Sequence, residues 1–222
     1  MLAAAPPAAA QEKPQPPDSL MVGAFSVRHY SDYDDCDLEI RYPQIVDEDG
    51  DPYDDTIDFP ALTAINTEIC RALMLAPETI LEQCEPLSVK RIDYEVHYNR
   101  DGWLSLIIET RVIDRFGGGE DIDAMIFQEA FHFNFLTGKR LLLSNMMQGN
   151  YVEALQVFLQ RALVARGYED ATPFVEDDTA FYREGDNLVF IIDIETPPEH
   201  VAIPFKAVKE FLTEDVPLRH DD

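Results

Sequence analysis

The segment VKRIDYEVHYNRDGWLSLIIETRVI, residues 89–113, contains the clearest structural signal in the chain. Apolar and polar residues alternate over its first ten positions, as in a strand with one buried face. The apolar residues predicted to share that face are Ile92, Tyr94, Val96 and Tyr98. The sequence Asn-Arg-Asp-Gly at 99–102 is typical of a tight turn, and residues 103–113 are predicted to return as a second strand. The segment therefore predicts an antiparallel hairpin.

Three further segments outside this hairpin show the same alternation. Residues 24–30 and 36–42 read as strands, and residues 124–136 read as another, ending in FHFNF. In that ending the three phenylalanines at 131, 133 and 135 are expected to point to one face, with His132 and Asn134 on the other. Residues 179–183 and 187–194 predict a second hairpin around the turn at 184–186.

Three segments have the pattern of helices. The first is predicted to begin at Pro60, with its buried stripe formed by Leu62, Ile65, Ile69 and Leu73. The second is predicted over residues 151–166, with Asn150 as N-cap and Glu153 completing a capping box. A short helix is expected at 205–212, after a strand at 201–203.

These elements together predict an α+β fold, in which about three helices pack on one side of a mostly antiparallel sheet. Residues 1–20 are rich in Ala, Pro and Gln, and are predicted to be a disordered leader or linker. Residues 21–222 are predicted to form a single α+β unit of two joined halves, at about 21–115 and 116–215.

The charge balance excludes several classes of partner. The 222 residues include 17 Lys and Arg against 43 Asp and Glu, which gives a formal net charge of −26 and a pI near 4.3. Such a chain would repel nucleic acid phosphates and an anionic membrane surface. Hydrophobic residues make up 46 %, which is enough for a substantial core. No run of 18 apolar residues occurs, so no membrane-spanning helix is predicted.

The first residues and the cysteines are relevant to the cellular location of the protein, and each leaves two interpretations open. The start MLAAAPPAAAQ ends in small residues, as signal peptides do, but it also fits a flexible Ala/Pro leader. Cys70 and Cys84 flank a short, predicted helical segment and would pair in an oxidising compartment. The alternative is that these two are small buried thiols.

The loop DEDGDPYDDTID, residues 47–58, is the first candidate for chemistry. Its carboxylates alternate as those of a calcium loop do, through Asp47, Asp49, Asp51 and Asp58. However, Pro52 stands where a calcium loop needs glycine, and Asp58 replaces the final glutamate. We therefore interpret it as a solvated acidic loop, with loosely bound calcium as the alternative and no other cofactor expected.

The sequence contains no specific catalytic motif. Residues 117–119 are three glycines, but Glu120 and Asp121 follow them and would repel a phosphate. Neither HExxH nor GxSxG occurs, and the five histidines show no spacing typical of metal ligands. We interpret the histidines as structural residues, and Trp103 and the phenylalanines as sheet core. A non-catalytic protein is therefore predicted.

Several phrases, taken in order, resemble a bacterial extracytoplasmic family. This family comprises the paired domains of unknown function found in the lysozyme-sensing anti-sigma factor and beside the catalytic domain of some peptidoglycan deacetylases. The phrases that carry the resemblance are RYPQI at 41–45, INTEI at 65–69, YEVHYNRDGWLSL at 94–106, FNFLTGKRLLLSNMM at 133–147 and the closing stretch at 181–212. Two segments depart from the family pattern: Gly-Gly-Gly-Glu at 117–120 and IETPPEH at 194–200.

The resemblance implies a cell-envelope binding module of α+β fold, either periplasmic or secreted, with or without a membrane tether. Because the chain is strongly acidic, we expect a basic protein partner such as lysozyme, for which it would be a sensor or inhibitor. The candidate contact residues lie in two loops: Asp54, Asp55, Gly118, Glu120 and Asp121. The alternatives are a peptidoglycan- or carbohydrate-binding accessory domain, with an exposed aromatic platform from Tyr53, Trp103 or Tyr182, and an uncharacterised enzyme.

Overall fold

The computed structural model describes residues 18–33, 35–54, 59–114 and 124–213, so most of the predicted leader lies outside the described residues. In these ranges the chain forms nine strands and five α-helices. The strands are β1 Met21–Ser31, β2 Cys36–Val46, β3 Ser88–Arg100, β4 Trp103–Asp114, β5 Met125–Asn134, β6 Lys139–Arg140, β7 Phe181–Glu184, β8 Asn187–Ile192 and β9 Glu199–Pro204. The helices are α1 Pro60–Ala72, α2 Pro77–Ile80, α3 Leu143–Met146, α4 Tyr151–Ala165 and α5 Phe205–Val208. The predicted α+β class is confirmed.

The first sheet has the order β1-β2-β3-β4-β5-β6 and is antiparallel except between β2 and β3. Parallel neighbours require a long crossover, which α1 and α2 supply here. Helix α1 begins at Pro60 as predicted, and its predicted stripe is buried against one face of the sheet. That core also contains the predicted phenylalanine row together with residues of the neighbouring strands: Leu38, Ile40, Leu104, Leu106, Phe131, Phe133 and Phe135.

The second sheet, β7-β8-β9, makes the structure differ from the single sheet that the sequence pattern predicts. Strand β7 contacts β3, β4 and β5, while α4 and α5 pack on β9. A second core forms there, with Trp103, Leu159, Phe181, Phe190 and Phe205 among its buried residues. The first sheet is thus covered by α1 on one face and, in part, by the second sheet on the other. This arrangement depends on long-range packing, which local alternation does not encode.

A β-bulge in β3 changes which face Tyr98 occupies. Val96 pairs with Leu106, but Tyr98 pairs with Ser105, so one extra residue, His97, is inserted between these two pairs. Tyr98 therefore joins the second core, whereas Val96 packs against the α1 core. The prediction that Tyr98 shares a face with Ile92 and Val96 was wrong, because the inserted residue shifts the two-residue period.

The cysteines also pair differently from the expectation. Cys36 and Cys84 form a disulfide with their Cα atoms 5.7 Å apart, and Cys70 is a free, half-buried thiol. The parallel pairing of β2 with β3 starts at Asp37 and Val89, so it brings the beginnings of these two strands together. The proposed Cys70–Cys84 pair was wrong because strand register, not closeness in sequence, sets which sulfurs meet.

Several smaller features refine the sequence interpretation. Asn150 precedes α4 but makes no cap; its side-chain amide instead donates to Glu153 Oε2 at 2.5 Å. The final helix is shorter than predicted, with α5 followed by a 3-10 turn over Lys209–Phe211. Among the described residues, no helix is both long and apolar enough to cross a membrane.

The turn between β5 and β6 fits closely against the start of α1. Gly138 has φ +72°, and a Cβ atom placed there would lie 2.5 Å from the carbonyl oxygen and 2.8 Å from the Cα atom of Ala61. Both contacts are with backbone, which cannot rotate away. Glycine at this position therefore allows the TGK turn to touch the helix.

We expect Gly138→Ala to lower the free energy of unfolding by about 2 kcal/mol more than Gly149→Ala, measured by urea denaturation. Gly149 has φ +71° and a Cβ atom placed there would have nothing within 4 Å, so its variant reports the cost of the backbone conformation alone. Equal losses in the two variants would contradict the close approach of the turn to α1.

Candidate functional site

A buried asparagine on α1 positions the acidic loop. Asn66 is 5 % exposed; its Oδ1 accepts from the Ile45 N–H at 2.6 Å, and its Nδ2 donates to the carbonyls of Ile45 at 2.9 Å and Tyr53 at 3.1 Å. One side chain thus holds the end of β2 and the far side of the loop against the helix. These bonds fix where the loop carboxylates stand.

The acidic loop itself begins as a compact turn. The carboxylate of Asp47 accepts from the backbone N–H groups of Asp49 at 2.9 Å and Asp51 at 3.0 Å. This side chain therefore stabilises the turn, while Glu48, Asp49, Asp51 and Asp54 are exposed. In the described part of the chain, no group of three His, Cys, Asp or Glu is arranged to hold a metal ion. Asp58, the last calcium candidate, lies outside the described residues.

A groove of about 610 Å³ runs between the acidic loop and α1. Its walls carry mostly polar and aromatic side chains, among them Tyr42, Gln44, Tyr53, Asp54, Thr63, Thr67 and Arg71. The ring of Tyr53 meets that of Phe59 edge to face at 5.3 Å between centroids. Of the predicted contact residues, Asp54 lines this groove, whereas Asp55, Gly118, Glu120 and Asp121 lie outside the described residues. We call this feature the acidic-loop groove.

The open face of the first sheet carries a different charge pattern. Four arginines on neighbouring strands each lie beside a carboxylate: Arg28, Arg41, Arg91 and Arg111. The nitrogen–oxygen distances are 2.8 Å for Arg41–Asp93, 2.8 Å for Arg91–Asp37 and 2.6 Å for Arg111–Glu109. These arginines are balanced by Asp37, Glu39, Asp93 and Glu109, so this face has little net charge and attracts a basic partner less than the acidic loop does.

Arg183 on β7 is the largest fully buried side chain, at 1 % exposure. Its Cζ lies 4.0 Å from the ring centroid of Tyr98, 4.8 Å from Trp103 and 5.2 Å from Phe205. The Nε–H donates to the carbonyl of Gly185 at 3.0 Å. Burial lowers the pKa of Arg183, yet a guanidinium stays protonated at physiological pH. The second core is therefore built around a cation enclosed by aromatic rings.

A buried serine–histidine pair lies beside this cation. The Ser105 hydroxyl, 0 % exposed, bonds to Nδ1 of His132, which is 2 % exposed. The backbone N–H of Arg183 donates to Ser105 Oγ at 3.1 Å, so the serine links β4, β5 and β7. Burial, together with the charge of Arg183, lowers the pKa of His132 to about 3. Both side chains are enclosed by protein, so the pair joins strands in this structure.

A second polar chain crosses between the sheets through Tyr182 and His200. The carboxylate of Glu109 accepts from Gln128 Nε2 at 2.8 Å, which turns the amide oxygen towards His200 Nε2 at 2.5 Å. Nε2 of His200 is therefore the donor, and Nδ1 accepts from the Tyr182 hydroxyl at 3.0 Å. Burial lowers the pKa of His200 and raises that of Tyr182 to about 12, so both stay neutral.

Two of the three residues predicted to form an exposed aromatic platform for a saccharide are buried. Trp103 is 2 % exposed and Tyr182 is 3 % exposed, and both lie between the sheets. Tyr53 lines the acidic-loop groove and is half-buried. The interpretation of Trp103 as core is confirmed.

Sequence reasoning missed the buried polar residues between the sheets. Arg183 follows Phe181 by two positions in a strand, so alternation alone places both on the same face. That spacing was the available signal, but an arginine is expected to be exposed unless partners are known. Ser105 and His132 come from separate strands, and only the pairing of β4 with β5 brings them together.

Comparisons with known proteins agree on the fold. No family model matches the chain, and no curated protein matches it. Similar solved structures include a DUF3298 family member from Bacteroides fragilis NCTC 9343 and a DUF3298 family protein from Pseudomonas aeruginosa PAO1. Each has 16 % identity and a TM-score of 0.60, covering 89 % of this chain and 96 % of the other. The chain therefore has the fold of a domain of unknown function, as the resemblance implied.

We expect neutral His132 to make stability depend on pH. Its folded pKa of about 3 lies below the ordinary value of 6.5, so the unfolded chain binds a proton that the folded chain does not. Above pH 6.5 the ring is neutral in both states and costs the folded state nothing. As the pH falls from 6.5 towards 3, protonation favours the unfolded chain and the folded state loses stability. The advantage of the wild type over His132→Gln in free energy of unfolding should shrink by about 1.4 kcal/mol per pH unit between pH 6 and 4.5.

Urea denaturation at several pH values measures this difference, and general charge effects cancel because both proteins share them. A difference that stays constant with pH would contradict a buried neutral histidine. If the variant does not fold, the imidazole ¹⁵N signals of the wild type should still report a neutral ring at pH 5.

Proposed function

We propose that this protein is a non-catalytic, extracytoplasmic binding module that recognises a basic protein through the acidic-loop groove, with C-type lysozyme as the first candidate. The observation that carries the proposal is the acidic loop that borders the groove. Four exposed carboxylates, at Glu48, Asp49, Asp51 and Asp54, belong to one stretch of seven residues in the acidic loop. The side chain of Asn66 holds this loop against α1.

The acidic loop suits lysine and arginine side chains, and among the described residues that line the groove itself Asp54 supplies a carboxylate while Arg71 is paired with Glu68. Clustered carboxylates repel one another, and a bound cation removes that repulsion. The rings of Tyr53 and Phe59 add surface on which the apolar stem or the guanidinium of a partner side chain can pack. The net charge of −26 would also speed the encounter with a basic protein by long-range attraction.

The disulfide supports an extracytoplasmic location. Cys36 and Cys84 are paired across 48 residues, and disulfides persist in oxidising compartments. The fold shared with DUF3298 proteins also supports an extracytoplasmic binding domain. It agrees with the sequence phrases, which resemble a family that includes the sensor region of a lysozyme-responsive anti-sigma factor. The partner itself is inferred from charge and groove chemistry.

The test is titration calorimetry against a C-type lysozyme at about 50 mM and 150 mM salt. We expect saturable one-to-one binding that persists at the higher salt concentration. A variant with Glu48→Gln, Asp49→Asn, Asp51→Asn and Asp54→Asn should bind at least about tenfold more weakly, because charge-assisted contacts are lost.

The matched control neutralises four exposed carboxylates elsewhere: Glu82→Gln, Glu85→Gln, Glu169→Gln and Asp170→Asn. It changes net charge equally, so it should retain most of the affinity. Cytochrome c, a basic protein of similar size, serves as the second comparison. The proposal would be overturned if both variants lost the same amount of affinity for lysozyme, or if cytochrome c bound as tightly as lysozyme. Either result would mean that only general charge attraction is involved.

A further inference from the structure

The first strand of the first sheet has an open outer edge. Strand β1 is the outermost strand in the order β1-β2-β3-β4-β5-β6, and in the described ranges its ladder partner is β2 alone. The two strands pair without interruption, from Met21↔Val46 to Ser31↔Cys36. At about 3.4 Å per residue, this edge is about 37 Å long. Backbone N–H and C=O groups that point away from β2 along this edge can pair with another strand.

The devices that commonly block a free edge are not found in β1. Its sequence MVGAFSVRHYS contains neither proline nor lysine, its pairing with β2 has no bulge, and none of its residues is buried. The opposite edge of the sheet is different, because the Leu141 N–H donates to the His132 carbonyl at 2.6 Å and the Arg140 guanidinium donates to the Ala130 carbonyl at 3.0 Å. Strand β1 is therefore the longer and more regular of the two edges.

Strand β1 also lacks the negative charge that the chain carries elsewhere. None of its eleven residues is Asp or Glu, although these make up 43 of the 222 residues of the chain. Its one Arg or Lys is Arg28, which is exposed and lies 3.9 Å from the carboxylate of Asp37 on β2. In contrast, β2, β3, β4, β5, β7 and β9 each contain at least one carboxylate. A second, equally acidic copy therefore meets little repulsion from β1 itself.

The start of β1 is held in place by the rest of the sheet. Leu20, the residue before the strand, is 6 % exposed and packs in the α1 core. Its N–H donates to Asn99 Oδ1 at 2.9 Å, and its carbonyl accepts from Asn99 Nδ2 at 2.7 Å. Within the strand, Phe25 packs on Tyr42 of β2 with 6.0 Å between ring centroids. A strand that is fixed in this way loses little conformational freedom when another strand pairs with it.

We propose that β1 pairs with β1 of a second copy of this chain, antiparallel about a two-fold axis at Ser26, so that the two first sheets become one continuous sheet. This register uses the whole strand, because Met21 of one copy then faces Ser31 of the other. A two-fold contact of this kind closes on itself, so association stops at the dimer. The proposal does not depend on lysozyme binding.

The side chains of β1 are self-complementary in this register. Phe25 of each copy faces Val27 of the other, and pairs of an aromatic with a β-branched residue stabilise antiparallel strands. Arg28 faces Ala24, so like charges are not placed directly opposite each other. The acidic loop follows the end of β2 that pairs with Met21. The two acidic loops therefore lie at opposite ends of the joined sheet, away from the axis.

The test is sedimentation velocity of the full chain from about 1 to about 300 μM, at about 50 mM and about 500 mM salt. We expect a monomer–dimer equilibrium that is stronger at the higher salt, because screening reduces the repulsion between two copies of net charge −26. Ser26→Glu should weaken the dimer at least about tenfold, because two carboxylates then face each other at the axis. Ala64→Glu adds the same charge at an exposed position on α1 and should weaken it less than about twofold.

A mixing experiment identifies the two-fold axis. Ser26→Lys alone should also be mostly monomeric, whereas an equimolar mixture of Ser26→Glu and Ser26→Lys should associate about as tightly as the wild type, because opposite charges then face each other. Ser26 is exposed in the monomer, so neither variant should disturb the fold, and circular dichroism checks this.

Three results would overturn the proposal: a monomer at every concentration at both salt levels, equal weakening by Ser26→Glu and Ala64→Glu, or a mixture that associates no better than either variant alone. Ser26→Glu leaves every carboxylate of the acidic loop in place, so lysozyme binding by this variant remains measurable. The two proposals can therefore fail separately.

Discussion

The guanidinium of Arg183 lies in the second core against the rings of Tyr98, Trp103 and Phe205, and the packing of one sheet on the other depends on it. Removing a cation from water costs several kcal/mol unless its new surroundings compensate. Three aromatic faces and the Gly185 carbonyl provide that compensation, since desolvated cation–π contacts contribute about 2 kcal/mol or more. The ring of Tyr98 reaches this position because the bulge at His97 turns it to the inner side. The same backbone that carries Arg183 also bonds to Ser105, and so fixes His132.

Local periodicity predicted the elements whose environment is uniform along their length. The stripe of α1, the phenylalanine row of β5 and the hairpin at Gly185 were all visible in the sequence, because each repeats one spacing against one neighbour. The prediction failed where the environment changes within an element. Tyr98 crosses to another core after one inserted residue, and Cys36 finds Cys84 through a parallel pairing that has no local signature. The polar residues divide in the same way, since Asp54 lies in a recognisable acidic loop whereas the buried Ser105–His132 pair is assembled from separate strands.

Charge is distributed unevenly over the surface of the described residues. The acidic loop beside the groove presents exposed carboxylates on a turn that a single buried amide, Asn66, holds in place, which suits a large basic partner. On the open face of the first sheet, arginines and carboxylates balance one another, so the acidity of the protein is not uniform over its surface.

The central claim is that a buried cation joins the two sheets, and replacing Arg183 by lysine tests it most directly. Lysine keeps the charge but not the planar group that stacks on three rings and bonds to Gly185. The free energy of unfolding of Arg183→Lys should be lower than that of the wild type by about 2 kcal/mol or more, whereas Arg28→Lys, at an exposed ion pair, should change it by less than about 0.5 kcal/mol. Equal, small changes in the two variants would show that the sheets pack without help from the cation and would contradict this claim.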